Sequence, residues 1–373
     1  MKKKRTQSAI PMLLTKVTMT FVLLMLSCMV SHAQVKVVDE DGDTPISYAS
    51  VFDDATGKVL GITNSDGSIP VTLNPEATIS IQHLNYMPIT VKVGNIQNDS
   101  IHMESRSYQV GEVAANSQAH DYLRAKLYVR QYSILNGKVA VVDESICYAY
   151  YDYNDHSKTP IQQILSRKIL KDESALKGQK FWLQAYATES NPLHFTRLNI
   201  EGLNKGSADI KYKELRQHAI KDGEKIATRI LRFDPKDQRL EYILDSGYVE
   251  KPRRIPLFGL SMTNVKLLVN LKTYNKVVKL SGLENMLVSY RIVHNKTQGY
   301  VDSYTEMFVL GFDYASKEDL KETKKDAKEN KKVAKAKKKA GEGTPFERPT
   351  NANIPPFNKY VETAMKTMTE SEY

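Results

Sequence analysis

Short runs of alternating side chains recur along the chain, and turn signals separate them. In residues 46–53, Ile46, Tyr48 and Phe52 occupy alternate positions, as expected of a strand whose two faces meet different surroundings. Thr56-Gly57 and Asp66-Gly67 mark tight turns, because glycine accepts positive φ without a steric penalty. The pattern predicts a mainly β fold built from antiparallel strands.

Residues 34–115 form the first predicted domain. Short β-prone runs recur there at regular spacing, and the domain has about the length of one antiparallel sandwich. The predicted strands are 35–38, 46–53, 59–63, 69–73, 78–83, 89–93 and 100–103. We therefore expect a β-sandwich at the N-terminus.

Six segments of this domain follow one another in a recognisable order. They are residues 35–39, 45–51, 61–67, 79–81, 84–86 and 109–113. Their succession resembles the carboxypeptidase-regulatory-like domain, a transthyretin-like β-sandwich. The resemblance implies a structural or docking module of the kind that opens many exported proteins of Bacteroidota-type envelopes, and it implies no peptidase activity. Asn85 departs from the family pattern, which has glycine before the aromatic residue.

Residues 120–316 form the second predicted domain, a larger antiparallel β-rich α+β domain. Apolar residues three and four apart predict a leading helix over 119–135, which Asn136-Gly137 would end. A long strand is predicted over 138–153, and short helices over 161–170 and 209–217. The other predicted strands are 180–188, 193–200, 225–233, 239–244, 265–271, 277–280, 286–294 and 300–312.

Residues 1–33 are predicted to be a signal peptide. Four basic residues follow Met1, and the uncharged run 17–30 has 14 residues, whereas a bilayer-spanning helix needs about 20. Ser31 and Ala33 supply the small residues of a cleavage site. The alternatives are an N-terminal membrane anchor and a lipoprotein signal acylated at Cys28. We expect an exported protein, periplasmic or associated with the outer membrane, without a transmembrane span after cleavage.

The positive charge of the chain is local. The formal net charge is +10, but residues 1–33 carry five basic residues and no acid, and residues 317–340 contribute +6. The remainder is close to neutral, which argues against nucleic acid as a partner. Residues 317–353 are predicted to be a Lys-rich and Pro-containing linker, partly helical at most. A surface arm that binds anionic envelope lipid is the alternative.

Two sets of apolar side chains are candidate ligand or partner surfaces. Residues 354–373 are predicted to contain a short amphipathic helix, whose apolar side would contact either the parent domain or another envelope protein. The members of this set are Phe357, Val361, Met365 and Met368. The second set is aromatic and lies in the second domain, where it would either line a groove or fill the core. Its members are Phe181, Trp182 and Tyr186.

The sequence contains no motif of a metallocarboxypeptidase or of a serine or cysteine hydrolase. No His is followed three residues later by Glu, and Cys147, the one thiol after cleavage, lies within a predicted strand. No catalytic residue, metal ligand or cofactor is therefore predicted. We expect a non-catalytic envelope protein that acts as a binding or structural module. The alternative is an envelope or polysaccharide hydrolase whose carboxylate or His-containing site is not visible in the sequence.

Overall fold

The structure is a computed structural model. It describes residues 34–41, 44–106, 120–155, 158–188, 214–221, 224–234, 238–246, 253–255, 259–274, 277–342, 345–350 and 354–371. The predicted signal peptide, the boundary between the two predicted domains near residue 115 and the predicted strand 193–200 lie outside the described residues.

The N-terminal part contains two small sheets that share one core. Its strands are β1 (Lys36–Asp39), β2 (Ser50–Asp53), β3 (Val59–Ile62), β4 (Thr78–His83), β5 (Tyr86–Lys92) and β6 (Ser100–Met103). One sheet is antiparallel with the order β3-β2-β4-β5, and in the other β1 pairs with β6 in parallel. Ile79 and Ile81 of β4 are buried against Ile101 of β6, which makes the unit a β-sandwich. The predicted strand 69–73 does not form.

The rest of the chain builds one 11-stranded antiparallel sheet. Its strands are β7 (Tyr122–Leu135), β8 (Lys138–Asp152), β9 (Ile161–Lys171), β10 (Glu214–Lys221), β11 (Glu224–Asp234), β12 (Arg239–Ser246), β13 (Arg253–Ile255), β14 (Leu260–Tyr274), β15 (Val277–His294), β16 (Tyr300–Ala315) and β17 (Thr369–Glu370). The order is β10-β11-β12-β14-β15-β16-β7-β8-β9-β17, and β13 pairs with β14. The predicted mainly β, antiparallel fold is confirmed.

The predicted leading helix over 119–135 is wrong, because β7 occupies this segment. From Leu127 to Leu135 every residue of β7 is buried, so apolar residues stand at positions of both parities and the alternation of a strand is hidden. Asn136 and Gly137 have φ values of 50° and 84°. They form the two-residue turn of the β7–β8 hairpin, and they do not end a helix.

Three shorter predictions are also corrected. The segment 161–170 is the strand β9, and residues 214–217 of the predicted helix 209–217 belong to the strand β10. The segment 180–188, predicted as a strand, is the helix α2 (Phe181–Thr188), which follows the single-turn helix α1 (Glu173–Leu176). Leu183 and Ala187 of α2 are buried against the large sheet. This contact is long-range, so local periodicity does not report it.

The sandwich packs on one face of the large sheet, which we call the sandwich-side face. Tyr48 and Leu84 of the sandwich contact Tyr128, Leu287 and Phe308 of the sheet there. All five side chains are buried. Burial of large aromatic and aliphatic side chains on both partners stabilises this arrangement.

Polar contacts fix the position of the sandwich on the sheet. The side-chain amide of Asn285 donates to Oδ1 of Asn85 at 2.9 Å, and Nη1 of Arg232 donates to the carbonyl of Pro45 at 2.9 Å. Asn85 stands at the position where the resemblance noted in the sequence leads to an expectation of glycine. Its side chain serves the contact with the large sheet.

The segment predicted as a linker begins with a continuous helix, α3 (Lys317–Lys339), of 23 residues. Leu320 and Thr323 are buried and Ala327 and Ala334 are half-buried, so a narrow stripe at helical spacing faces the protein. The stripe consists mostly of small residues, and it therefore shows no amphipathic pattern in the sequence. The expectation that this segment is partly helical at most is wrong for residues 317–339, although most of their described side chains are exposed to solvent as predicted.

Among the described residues, no helix combines the length and apolar character that a membrane crossing requires.

Candidate binding site

The C-terminal segment, which comprises residues 345–350 and 354–371, packs between the sandwich and the large sheet. Its helix α4 (Lys359–Met365) is capped by Asn358, whose Oδ1 accepts a hydrogen bond from the amide of Val361 at 2.8 Å. Phe357 is only 3% exposed and Val361 is fully buried. Both pack in one cluster with Tyr132 of β7, and Met365 and Met368 pack against that cluster. The chain itself therefore covers this predicted apolar surface.

Arg130 of β7 holds the segment just before α4 begins. Its guanidinium forms an ion pair with Glu306 of β16, donates to the carbonyl of Pro355 at 2.6 Å, and lies 4.5 Å from the ring centroid of Phe357. The Arg130 side chain is almost fully buried. A buried guanidinium requires such partners, because removal from water is costly for an unpaired charge, and the aromatic ring adds a cation–π contact.

A second ion pair, between the buried Glu144 and the partly exposed Arg348, anchors the segment further upstream. Nε and Nη2 of Arg348 donate to the two carboxylate oxygens of Glu144 at 2.6 and 2.8 Å. The hydroxyl of Tyr128 donates to the same carboxylate at 2.5 Å. Bidentate geometry of this kind is stronger and more directional than a single hydrogen bond. The C-terminal segment is therefore attached to the sheet at two polar points before α4 begins.

Tyr360 of α4 joins the sandwich to the β7–β8 turn. Gly57 has φ of 69°, and a Cβ built on it would lie 2.4 Å from Cβ of Tyr360. Only glycine fits at this distance and in this conformation. At its other end, the hydroxyl of Tyr360 donates to the carbonyl of Gly137 at 2.6 Å.

A groove of about 230 Å³ remains between α4 and the sandwich, and we call it the α4 groove. The sandwich contributes the face of β4 and β5 that points away from its core. Ser80 alternates with the core residues Ile79 and Ile81, and Thr90 is its partner in the β4–β5 register. The groove is lined by Phe52, Asp53, Asp54, Gly57, Ser80, Gln82, Pro88, Ile89, Thr90, Pro356, Phe357, Asn358, Lys359, Tyr360 and Glu362.

A chain of oxygen atoms runs along the sandwich wall of the groove. The hydroxyl of Ser80 donates to Oδ1 of Asp54 at 2.6 Å and lies 3.0 Å from the hydroxyl of Thr90. Nζ of Lys359 lies 3.9 Å from Oδ2 of Asp54, at the α4 side. Hydrogen bonds from Thr56 lower the pKa of the neighbouring Asp53, so its carboxylate is ionised at neutral pH.

A much smaller space shares Gln82 with the lining of the groove. It measures about 20 Å³ and is lined by His83, Arg130, Glu306 and Pro355, among others, which is room for a single water-sized group. Burial lowers the pKa of His83 to about 3, and Arg239 and Arg232 add to this effect. The imidazole is therefore neutral at neutral pH, and its Nδ1 accepts from the amide of Asn85 at 3.1 Å.

The second predicted surface lies elsewhere, on the opposite face of the large sheet. Tyr186 packs against the cluster that buries Leu183, whereas Phe181 is 69% and Trp182 36% exposed. The Phe181 and Trp182 rings meet edge to face, with 4.9 Å between their centroids. The structure thus separates the two predicted sets, and of these two sets only the one on α2 presents exposed aromatic rings.

The remaining candidates for chemistry are the Cys147 thiol and a metal site. Cys147 is fully buried, and burial raises the pKa of its thiol, which disfavours a thiolate nucleophile. Within the described residues, no group of three or more His, Cys, Asp or Glu side chains is arranged to hold a metal ion.

The sequence analysis missed the groove residues Asp54, Ser80 and Thr90. The available signal was the parity of β4, which places Ser80 opposite Ile79 and Ile81. The parity of a strand position tells which side chains point away from the sandwich core. It does not tell that α4, almost 280 residues later in the chain, would cover that side.

A scan against protein-family models and a search of the curated proteins found no match to this chain. The functional argument therefore rests on the groove and its chemistry.

Proposed function

We propose that this protein is an exported, non-catalytic binding protein of the cell envelope, and that its α4 groove binds one saccharide unit. The observation that carries the proposal is the row of oxygen atoms on Asp54, Ser80 and Thr90, which faces a groove with the apolar residues Pro88 and Pro356 in its lining. A sugar ring presents hydroxyl groups on its edge and C–H groups on its faces, so it complements both kinds of lining.

The size of the groove limits the ligand. At about 230 Å³ it is smaller than the roughly 300–1,000 Å³ of sites for drug-sized molecules. A single ring with its substituents fits this volume, and the groove is open at the surface, so a longer glycan can extend into solvent. The hydroxyls of Ser80 and Thr90 can each donate or accept, which suits a ligand whose own hydroxyls do both.

The carboxylates of the groove favour binding over hydrolysis. A glycan hydrolase needs one carboxylic acid whose pKa is raised, so that it can protonate the leaving oxygen. Asp53 has the opposite shift, because Thr56 donates hydrogen bonds to its ionised form. The polysaccharide hydrolase considered from the sequence is kept as the competing function.

The envelope location is part of the same proposal. It is supported by the basic and apolar N-terminal residues, which fit a signal peptide, and by the resemblance of residues 34–115 to carboxypeptidase-regulatory-like domains. Docking modules of that kind bind other molecules and do not catalyse reactions. Envelope proteins or anionic envelope lipid are the partners proposed for the rest of the surface.

Calorimetric titration of the purified protein with glucose and N-acetylglucosamine, and with their short oligomers, tests the proposal. Thr90→Val removes one hydroxyl and keeps the β-branched shape, so we expect a 2- to 10-fold weaker affinity, the effect of about 0.5–1.5 kcal/mol for one hydrogen bond. Ser100→Ala in β6, whose hydroxyl bonds the Asn98 carbonyl away from the groove, is the matched control. Equal affinity of Thr90→Val and wild type contradicts the proposal, and shortening of the oligomers identifies a hydrolase.

A further inference from the structure

The charges of α3 are distributed unevenly along the helix. Residues 317–329 contain five Lys and five acids, whereas residues 330–339 contain six Lys and no acid. The whole net charge of this segment therefore resides in its last ten residues. Acids near the start and lysines near the end also suit the helix dipole, but the dipole does not require six lysines among ten residues.

The balanced half of α3 is attached to the protein, and its contacts give the direction of the helix. Thr323 bonds the hydroxyl of Tyr150 at 2.7 Å, and Nδ2 of Asn330 donates to the carbonyl of Leu165 in β9 at 3.2 Å. Leu320 packs near Ile161 at the start of β9. The helix thus runs alongside β9 in the direction of that strand. Its basic end points toward the end of β9.

The exposed aromatic rings lie at this same end of the sheet. The chain leaves β9 at Lys171 and enters α1 and α2 within ten residues. The start of α2 is tied to the β7–β8 turn, because Nδ2 of Asn136 donates to Oε1 of Gln179 at 2.9 Å. Phe181 and Trp182 project from the next two positions after Lys180. They are among the few large apolar side chains that the described part of the chain leaves exposed.

Among the described residues, basic side chains outnumber acids at this end of the sheet. The acids are Asp172, which caps α1, Glu173, and Glu370 of β17, which pairs with the last residues of β9. The lysines of the turns and strand ends at this end of the sheet are Lys138, Lys171, Lys177, Lys180 and Lys296. At the basic end of α3, Val333 is also exposed among its lysines.

We propose that this end of the molecule binds an anionic lipid surface. Phe181 and Trp182 enter the interfacial region, where aromatic rings are favoured, while the lysines around them and on residues 330–339 contact lipid phosphates. Two exposed aromatic rings among several long lysine side chains suit a charged surface that is fluid, as a lipid bilayer is. They lack the extended apolar area that a stable protein interface buries. The inference rests on the proposed envelope location, but it does not depend on the saccharide groove.

The chain provides its own reporter for this test, because Trp182 is its one tryptophan. We expect the Trp182 emission to shift to shorter wavelength when purified protein is mixed with vesicles of phosphatidylethanolamine and phosphatidylglycerol, and to stay unchanged with phosphatidylcholine vesicles. Co-sedimentation should follow the same order and weaken as salt rises, since exposed charges are screened.

Charge-matched variants locate the binding surface. K331Q/K332Q/K335Q/K337Q removes four charges from the basic end and should weaken vesicle binding at least tenfold. K321Q/K324Q/K325Q/K328Q removes four charges from the balanced half and should weaken it less than threefold. Phe181→Ser should reduce the emission shift of Trp182 while leaving the far-UV circular dichroism spectrum unchanged.

Two results overturn the inference: an emission shift that is the same for anionic and neutral vesicles or absent from both, and equal losses in the two quadruple variants. Each variant is also titrated with the saccharide that wild type binds. Loss of vesicle binding with saccharide binding retained bears on the lipid surface alone, and the reverse result bears on the groove alone.

Discussion

The C-terminal segment and helix α2 place similar aromatic side chains in opposite environments. Phe357 is enclosed by Tyr132, Arg130 and Arg348, whereas Phe181 is mostly exposed beside Trp182. Both helices are short. Phe181 is the first residue of α2, and Phe357 lies two residues before α4. The two residues differ because neighbouring side chains cover Phe357 and leave most of Phe181 exposed.

The first turn of each segment explains the contrast. Asn358 caps α4 and is itself buried, so the helix starts inside the protein and directs Phe357 inward. In α2 the buried positions are Leu183 and Ala187, which are spaced four apart and place the preceding aromatic pair on the other side. Aromatic character alone therefore does not identify a partner surface. The register of the buried positions does.

Removal of the ring of Phe357 should have the largest effect on stability. Phe357→Ala leaves a cavity beside Arg130, and we expect a loss of about 3–5 kcal/mol in the free energy of unfolding. Phe181→Ala should change it by less than about 0.5 kcal/mol, as for other exposed sites. Urea unfolding of both variants measures the difference. Similar losses in the two variants would show that α2 is more deeply packed than its exposure indicates.

The ion pair between Arg130 and Glu306, beside Phe357, allows the same comparison of a buried contact with an exposed one. Arg130→Met keeps an apolar stem but leaves Glu306 buried without its partner, so we expect a loss of about 3 kcal/mol. Arg124→Met breaks the pair with the exposed Asp313 and should cost roughly 0–1 kcal/mol. Limited proteolysis should also release the C-terminal segment from the Arg130 variant first. Equal unfolding free energies for the two variants would contradict the assigned role of Arg130.

Per pH unit, His83 gives the smallest of the three effects, and the effect has a defined pH window. Its pKa is about 3 in the folded protein and about 6.5 in the unfolded chain, so only the unfolded state gains this proton between those values. Stability should therefore fall as pH decreases from about 6.5 toward 3, by at most about 1.4 kcal/mol per pH unit from this group. His83→Gln should flatten the dependence, and the exposed His102→Gln should not. An unchanged slope in His83→Gln would place the titrating group elsewhere.

Local pattern predicted the sandwich better than the large sheet. The strand predicted at 78–83 is β4, because one face of β4 meets the core and the other does not, which leaves clear alternation. In β7 both faces are buried, and its apolar residues satisfied the helical spacing as well. The sandwich on one side and α2 on the other create this double burial, and neither is local to β7.

The candidate sites were predictable to different degrees. The apolar side of α4 was found from its spacing, but its two possible partners were left open until the contacts of Phe357 and Val361 were known. The aromatic residues of α2 were found as a set within a predicted strand, so their exposure was not foreseen. The groove hydroxyls were not found at all, because serine and threonine on the outward face of a strand are ordinary surface residues.

By itself the sequence determined the features that depend on the order of neighbouring residues. It specifies a β-rich chain, a sandwich with its inward face, a tight turn at Thr56-Gly57, and a concentration of lysine from residue 317 onward. The tertiary structure alone decided that β7 is a strand, that α4 is covered, and that the basic end of α3 and the α2 rings share one end of the sheet. Those outcomes depend on contacts between residues far apart in the chain, such as Arg130 with Pro355. Residue spacing reports which side chains share a face, but burial and pairing depend on what packs against that face.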